Sequence, residues 1–327
     1  MVPLIHQIGE ASARRGVAAG AEDDVLRRTY PVDRQKVFVE AAASALGLDF
    51  HRGRLDVAAH PFCTGIGPGD TRITARYDEH QFGDAFFGVL HEVGHGLYEQ
   101  GLPAEHFGTP LGEAASLGVH ESQSRLWENA VGRGRPFWIY WFSVAKRVFH
   151  EALRDVSLDA FLTAVNHVRP SLIRVQADEV TYNLHIIIRF ELEQALLSGD
   201  LPVGELPSAW NQKYRELLGM EPGRDAEGCL QDIHWSAGLV GYFPTYTLGN
   251  IYAAQLFARA KTDLAGLDES LERGQSADLL SWLRTAVHQH GQHYRPQTLI
   301  ERATGSPPDP SYLVTALRQK YGELFGL

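Results

Sequence analysis

The stretch "FFGVLHEVGHGLYEQGL" (residues 86–102) decides how the rest of the chain is read. At its centre, His91-Glu92-Val93-Gly94-His95 sets two histidines four residues apart. On an α-helix such residues are about 6 Å apart along the axis and share one face, so both imidazoles can grip one ion. Zinc takes nitrogen, oxygen or sulfur donors at about 2 Å in a near-tetrahedral shell. Glu92, beside His91, is the candidate general base, placed to take a proton from water as a peptide carbonyl is attacked. Phe86, Phe87, Val89, Leu90, Val93 and Leu97 give this helix a largely buried setting, in which two histidines and a glutamate need partners. Gly94 and Gly96 each cost on the order of 1 kcal/mol relative to alanine in a helix, which points to another backbone packed close by.

A catalytic zinc needs a third protein ligand. Glu99 continues the spacing but lies about 12 Å along the axis from His91, too far to share an ion with both histidines. After the loop "GLPAEHFGTP" comes "LGEAASLGVHESQSRLWENAVG" (111–132), which reads as a return helix carrying His120, Glu121 and Glu128. His120 and Glu121 point about 100° apart, so one of them at most is expected to face the ion. Glu121 is the better candidate; a solvated acidic face is the bland alternative.

Composition bounds the partners. The chain has 327 residues, 44% of them hydrophobic, which supports a substantial core. With 30 basic and 40 acidic residues the formal net charge is −10, so general binding of nucleic acid or anionic membrane is not expected. The apolar run "IYWFSVA" (139–145) is too short to span a bilayer. The start "MVPLIHQIGEASARRG" lacks the apolar core of a secretory signal, so a cytoplasmic location is expected. Cys63 and Cys229 make no disulfide framework and read as reduced thiols.

Periodicity predicts a mainly α fold: one zincin-like helical domain over 1–327 with a small β-hairpin or three-stranded sheet. Residues 1–50 read as helical with a break at Tyr30-Pro31, and "DRQKVFVEAAASALGL" (33–48) as a helix ending at Gly47. Residues 51–77 are rich in Gly and Pro with short β-prone pieces. Residues 81–199 read as helical, 200–250 as short helices between Gly and Pro interruptions, and the remainder as helical.

Further stretches occur in a fixed order: "HPF" (60–62), "DTRIT" (70–74), "HEVGH" (91–95), "HESQ" (120–123), "IRVQAD" (173–178) and "GCLQDIHW" (228–235). Together they closely resemble the motif set of the M32 metallocarboxypeptidases of the Taq type. "GYFPTYTLGN" (241–250) and the ending from Glu301 are similar too. The resemblance implies that His91, His95 and Glu121 bind the metal and that Glu92 is the catalytic base. It implies zinc, with cobalt as an effective substitute, and removal of single residues from peptide C-termini. It also implies a cytoplasmic homodimer. Members are usually longer, and this chain is similar to their C-terminal two thirds. The helical N-terminal part that walls the substrate groove is therefore expected to be absent. An opened groove makes a zinc endo- or oligopeptidase the enzymatic alternative, and a zinc-stabilised remnant the non-catalytic one. The intact Glu92 favours an enzyme.

A carboxypeptidase must recognise a free carboxylate, and the planar fork of arginine can donate two parallel hydrogen bonds to one. Arg174 in "IRVQAD" is the candidate, with an i, i+4 pair to Asp178 as its structural alternative. Arg72 in "DTRIT" is the rival, on a β-prone piece whose edge an extended substrate could join. His234 and Tyr246 are candidate donors to an oxyanion, with Asp232 and Trp235 bracketing His234. His60 is expected to organise the β element. "HQHGQHY" (288–294) reads as a solvated helix end, and His185 as a core or groove histidine.

Overall fold

The computed structural model describes residues 2–14 and 25–327; the remainder of the helical run expected over 1–50 lies outside the described residues. Helix α1 spans Val2–Arg14 and α2 spans Val32–Leu46. Pro31, extended at ψ 131°, precedes α2, and Gly47 closes it in the left-handed conformation at φ 103°. That region is open to glycine because it carries no Cβ.

The Gly- and Pro-rich segment forms a three-stranded sheet of order β1-β3-β2, with β1 Gly53–Val57, β2 Cys63–Gly67 and β3 Asp70–Ala75. β1 runs parallel to β3 and β2 antiparallel to it. Alternation along β3 buries Thr71, Ile73 and Ala75, and turns Arg72 to the opposite face.

Helix α3 (Phe82–Glu99) carries the HEVGH sequence. Its first half is anchored by aromatic packing: Phe82 and Phe86 stack at 5.5 Å, and Phe38, Phe149 and Trp138 close around them. Its second half lies on the sheet, where Gly96 faces Leu48, Thr71 and Ile73. Residues 100–116 form no α-helix and carry only two short 3-10 turns, Ala104–His106 and Pro110–Gly112; most of 166–181 is irregular. Helix α4 (Leu117–Arg125) starts where the Ser116 hydroxyl caps the Val119 amide. It continues into a π-helical turn, Leu126–Val131, in which the Gly132 amide bonds back to the Trp127 carbonyl. Further helices are α5 (Arg135–Val148), α6 (Leu158–Val165), α7 (Tyr182–Ser198), α8 (Leu206–Leu218) and α9 (Pro244–Asp263). Three more, α10 (Ala277–Ala286), α11 (Pro296–Thr304) and α12 (Ser311–Phe325), complete the chain, with short helical segments left unlabelled. Between α8 and α9 the chain is mostly irregular. No described helix is long and apolar enough to cross a membrane.

The chain divides into two compact units: Met1–Val17 with Asn166–Leu248 and Leu317–Leu327, and Ala18–Val165 with Gly249–Ala316. The second holds the sheet, α3 and α4. In the first, Tyr182, Ile186 and Phe243 form a small core with Trp235 and Tyr246 packed against it.

Candidate metal centre and a buried arginine cluster

His91, His95 and Glu121 each direct one ligand atom into a common space, all three within 4.8 Å of one another. Glu121 Oε2 lies 3.6 Å from His91 Nε2 and 3.5 Å from His95 Nε2. Two donors at about 2.1 Å from one ion, at a tetrahedral angle, would be about 3.4 Å apart, so the carboxylate stands from each imidazole as it would when sharing a zinc-sized ion. The fit depends on two glycines. A Cβ on Gly94 would sit 2.5 Å from the Gln123 carbonyl oxygen, so only glycine lets α3 and α4 approach this closely. A Cβ on Gly249, in α9, would sit 2.5 Å from Glu121 Cγ. The close backbone expected from Gly94 is thus that of α4, whereas Gly96 meets side chains.

Hydrogen bonds orient His91 and Glu121, whereas His95 Nδ1 is buried without a hydrogen-bond partner. His91 Nδ1 donates to Glu128 Oε2 at 2.9 Å, leaving Nε2 toward the shared space. Glu121 is not on a solvated face. It is 6% exposed; its Oε1 accepts from Arg125 Nε at 2.7 Å and its Oε2 from the Ser124 hydroxyl at 3.1 Å. Arg125 and Arg133 also flank Glu128. Burial penalises the Glu121 charge, but Arg125 and His91 outweigh it and hold the carboxyl well below its ordinary range. Glu128 behaves alike, held to about 2 against burial by Arg125 and the His91 hydrogen bond. Burial drives His95 down to about 3, which keeps it neutral, the form that ligates. His95 stacks on His120 at 4.4 Å, and His120 donates to Glu99 at 2.8 Å, so His120 turns away from the shared space. Glu92 is 7% exposed and has no hydrogen-bond or ion-pair partner among the described residues. Burial pushes its pKa up.

Arg72 does not join this cluster. On the sheet face away from α3, its Nε and Nη2 donate to both oxygens of Asp70, at 2.7 and 2.9 Å, and it lines a cavity with His51, Arg52 and Arg54.

Arg174, His234 and Tyr246 belong to the other unit, where they form a second cluster. Arg174, 6% exposed, pairs with Asp232 rather than with Asp178: its Nε and Nη2 donate to Asp232 Oδ1 at 3.0 and 2.7 Å. Its Nη1 donates to the Tyr182 hydroxyl at 2.7 Å. Asp178 instead accepts from the Val180 and Thr181 amides in the turn that precedes α7. His234 Nε2 lies 3.0 Å from the Tyr246 hydroxyl. Asp232 and Trp235 do not fix its ring, because Asp232 serves arginines and the Trp235 indole donates to Glu193. Burial, then Arg174, lowers the His234 pKa and favours the neutral ring. The Asp232 carboxylate also takes Arg189, a residue outside all the ordered motifs.

His288 is fully buried, not solvated, with Nε2 3.0 Å from Gln123 Oε1. His185 is a core residue paired with the Tyr214 hydroxyl at 3.1 Å. Arg189 is the residue that motif reading passes over, and Glu128 stands on the return helix without an assigned role. For Glu128 a signal existed: Glu121, Arg125 and Glu128 recur at i, i+4 and i+7, one stripe of a helix.

The model of the carboxypeptidase Taq (M32) metallopeptidase family matches residues 1–321. Thermostable carboxypeptidase 1 of Thermus thermophilus is 53% identical over 331 residues, covering 100% of this chain and 65% of that protein. Carboxypeptidase 1 of Bacillus subtilis is 43% identical, covering 99% of this chain and 64% of that protein. The chain thus spans just under two thirds of the length of these relatives. Among solved structures, the M32 carboxypeptidase from Deinococcus radiodurans R1 superposes with a TM-score of 0.91 at 44% identity, over 98% of this chain and 67% of that one. Trypanosoma cruzi metallocarboxypeptidase 1 gives 0.92 at 35% identity, over 98% of this chain and 64% of that one.

Proposed function

The chain belongs to the carboxypeptidase Taq (M32) metallopeptidase family, and from that premise we propose that residues 1–327 work as one zinc metallocarboxypeptidase domain that releases single residues from peptide C-termini. One observation carries the reading. A three-ligand cluster on α3 and α4 has a buried carboxylate without a partner, Glu92, in the same turn of helix. A purely structural metal site gains nothing from such a group. Zinc held by His91, His95 and Glu121, or cobalt in its place, would supply Lewis acidity to water and the peptide carbonyl. Glu92 receives the proton of the attacking water at a carboxylate oxygen and delivers it to the departing amine.

Arg174 binds the free C-terminal carboxylate. Three of its five N–H donors are spoken for, which leaves one on each terminal nitrogen for a ligand. Arg72, with two donors on Asp70, remains the rival. The hydrogen-bonded His234 and Tyr246 are the proposed donors to the oxyanion. The resemblance of the ordered motifs further supports a cytoplasmic homodimer, and the two free thiols, Cys63 and Cys229, suit a reducing compartment.

Incubating the zinc-loaded protein with free and C-terminally amidated short peptides, read by mass spectrometry, tests this. Stepwise loss of single C-terminal residues is expected from the free peptides alone, stopped by a chelator. Internal cleavage, or equal cutting of amidated peptides, would sink it.

A further inference from the structure

Arg189 lies within "HIIIRFELE" on α7 and is 0% exposed, less than any other described Arg, Lys, Asp or Glu. Its Nε donates to Asp232 Oδ2 at 2.6 Å and its Nη1 to the His185 carbonyl at 2.9 Å. Its guanidinium lies 4.6 Å over the Trp210 ring, and its Nη2 is buried with no hydrogen-bond partner. Asp232 therefore stands between two arginines. Arg174 reaches only Oδ1, with two donors on that one oxygen, because Oδ2 is held by Arg189.

That division matters electrostatically. A carboxylate alone with one arginine offers both oxygens, fork to fork, and neutralises it. Here one carboxylate is shared by two guanidinium groups. Glu193, one turn beyond Arg189, does not restore the balance by direct pairing. Its oxygens accept from the Trp235 indole at 2.7 Å and the Gly241 amide at 2.6 Å. His185 adds no charge, since burial lowers its pKa to about 3. Arg174 is left with more positive charge than Asp232 cancels, in a site where low solvent exposure strengthens that charge.

We propose that Arg189 is a positioning residue that keeps Arg174 available to a peptide's terminal carboxylate by holding half of Asp232. The proposal rests on the carboxylate-binding role given to Arg174 above. It predicts that removing a cation weakens anion binding at a group the ligand does not touch.

The test uses the zinc-loaded full chain carrying Glu92→Gln, so that no peptide is cut. Isothermal titration calorimetry compares N-acetyl-Ala-Ala-Phe as free acid and as amide. The parent is expected to prefer the acid at least tenfold. Arg189→Met should cut that preference about tenfold, through weaker acid binding with amide binding unchanged. Arg189→Lys, which keeps a cation beside Oδ2, should restore most of it. If the methionine variant does not fold, Arg189→Gln, which keeps a donor without charge, is read in its place with the same loss expected. Arg174→Gln should abolish the preference. A preference that survives in Arg189→Met or Arg189→Gln but is lost in Arg174→Gln overturns the role of Arg189 and leaves that of Arg174 standing. A parent without preference, or an Arg174→Gln variant that keeps it, overturns the carboxylate reading and this proposal with it.

Discussion

Around His91 and His95, carboxylates and cations are matched nearly one to one: Glu121 with Arg125, and Glu128 with Arg125 and Arg133. Around Asp232, one carboxylate answers to two arginines. The first cluster has one buried carboxylate left over, Glu92; the second has a cation left over. Each surplus is what its proposed chemistry calls for, a base in one place and an anion receptor in the other. Burying an unmatched charge costs stability, and at Arg189, whose Nη2 is buried with no hydrogen-bond partner, packing alone gives no reason for that cost.

The comparison breaks most easily at the two surplus groups. Glu92→Gln should lower turnover by about 10²- to 10⁴-fold, the usual size of a general-base contribution. Because an unpartnered buried carboxylate is replaced by a neutral group, the midpoint of urea unfolding should not fall. A variant with normal turnover would remove Glu92 from the chemistry. Asp232→Asn should behave the opposite way. It leaves two buried arginines facing a neutral amide, and breaking a buried pair costs about 3–5 kcal/mol, readable as a shift of the urea midpoint. An unchanged midpoint would show that the arginines do not depend on Asp232. The smallest effect sharpens the account of the metal cluster. Glu128→Gln should weaken zinc binding about 10- to 100-fold in competition with a chelator, because the His91 ring loses the carboxylate that orients it. Affinity equal to the parent would mean that Glu128 serves the fold alone.

The two clusters were unequally legible. His91 and His95 are visible in the sequence because helix geometry turns a spacing of four into a shared face. Glu121 could be reached by reasoning about a return helix, and Gly94 by its cost inside one. The pairing of Arg174 could not. Its near neighbour Asp178 has the right spacing on paper, but residues 174–181 form no continuous α-helix, and Asp178 accepts from the Val180 and Thr181 amides in the turn before α7 instead.

Local sequence by itself determined the helical character of the chain, the small sheet after Gly47 and the two histidines on one face of α3. All of these rest on spacings of two to four residues, over which backbone geometry is nearly fixed. Only the tertiary structure decided that Glu121 is buried and braced by Arg125, that Glu128 holds His91, and that Arg174 and Arg189 share Asp232. Asp232 lies 58 and 43 residues from its two arginines. Over such separations a charge is matched by whichever partner the packed chain brings within about 3 Å, and no local periodicity encodes that choice.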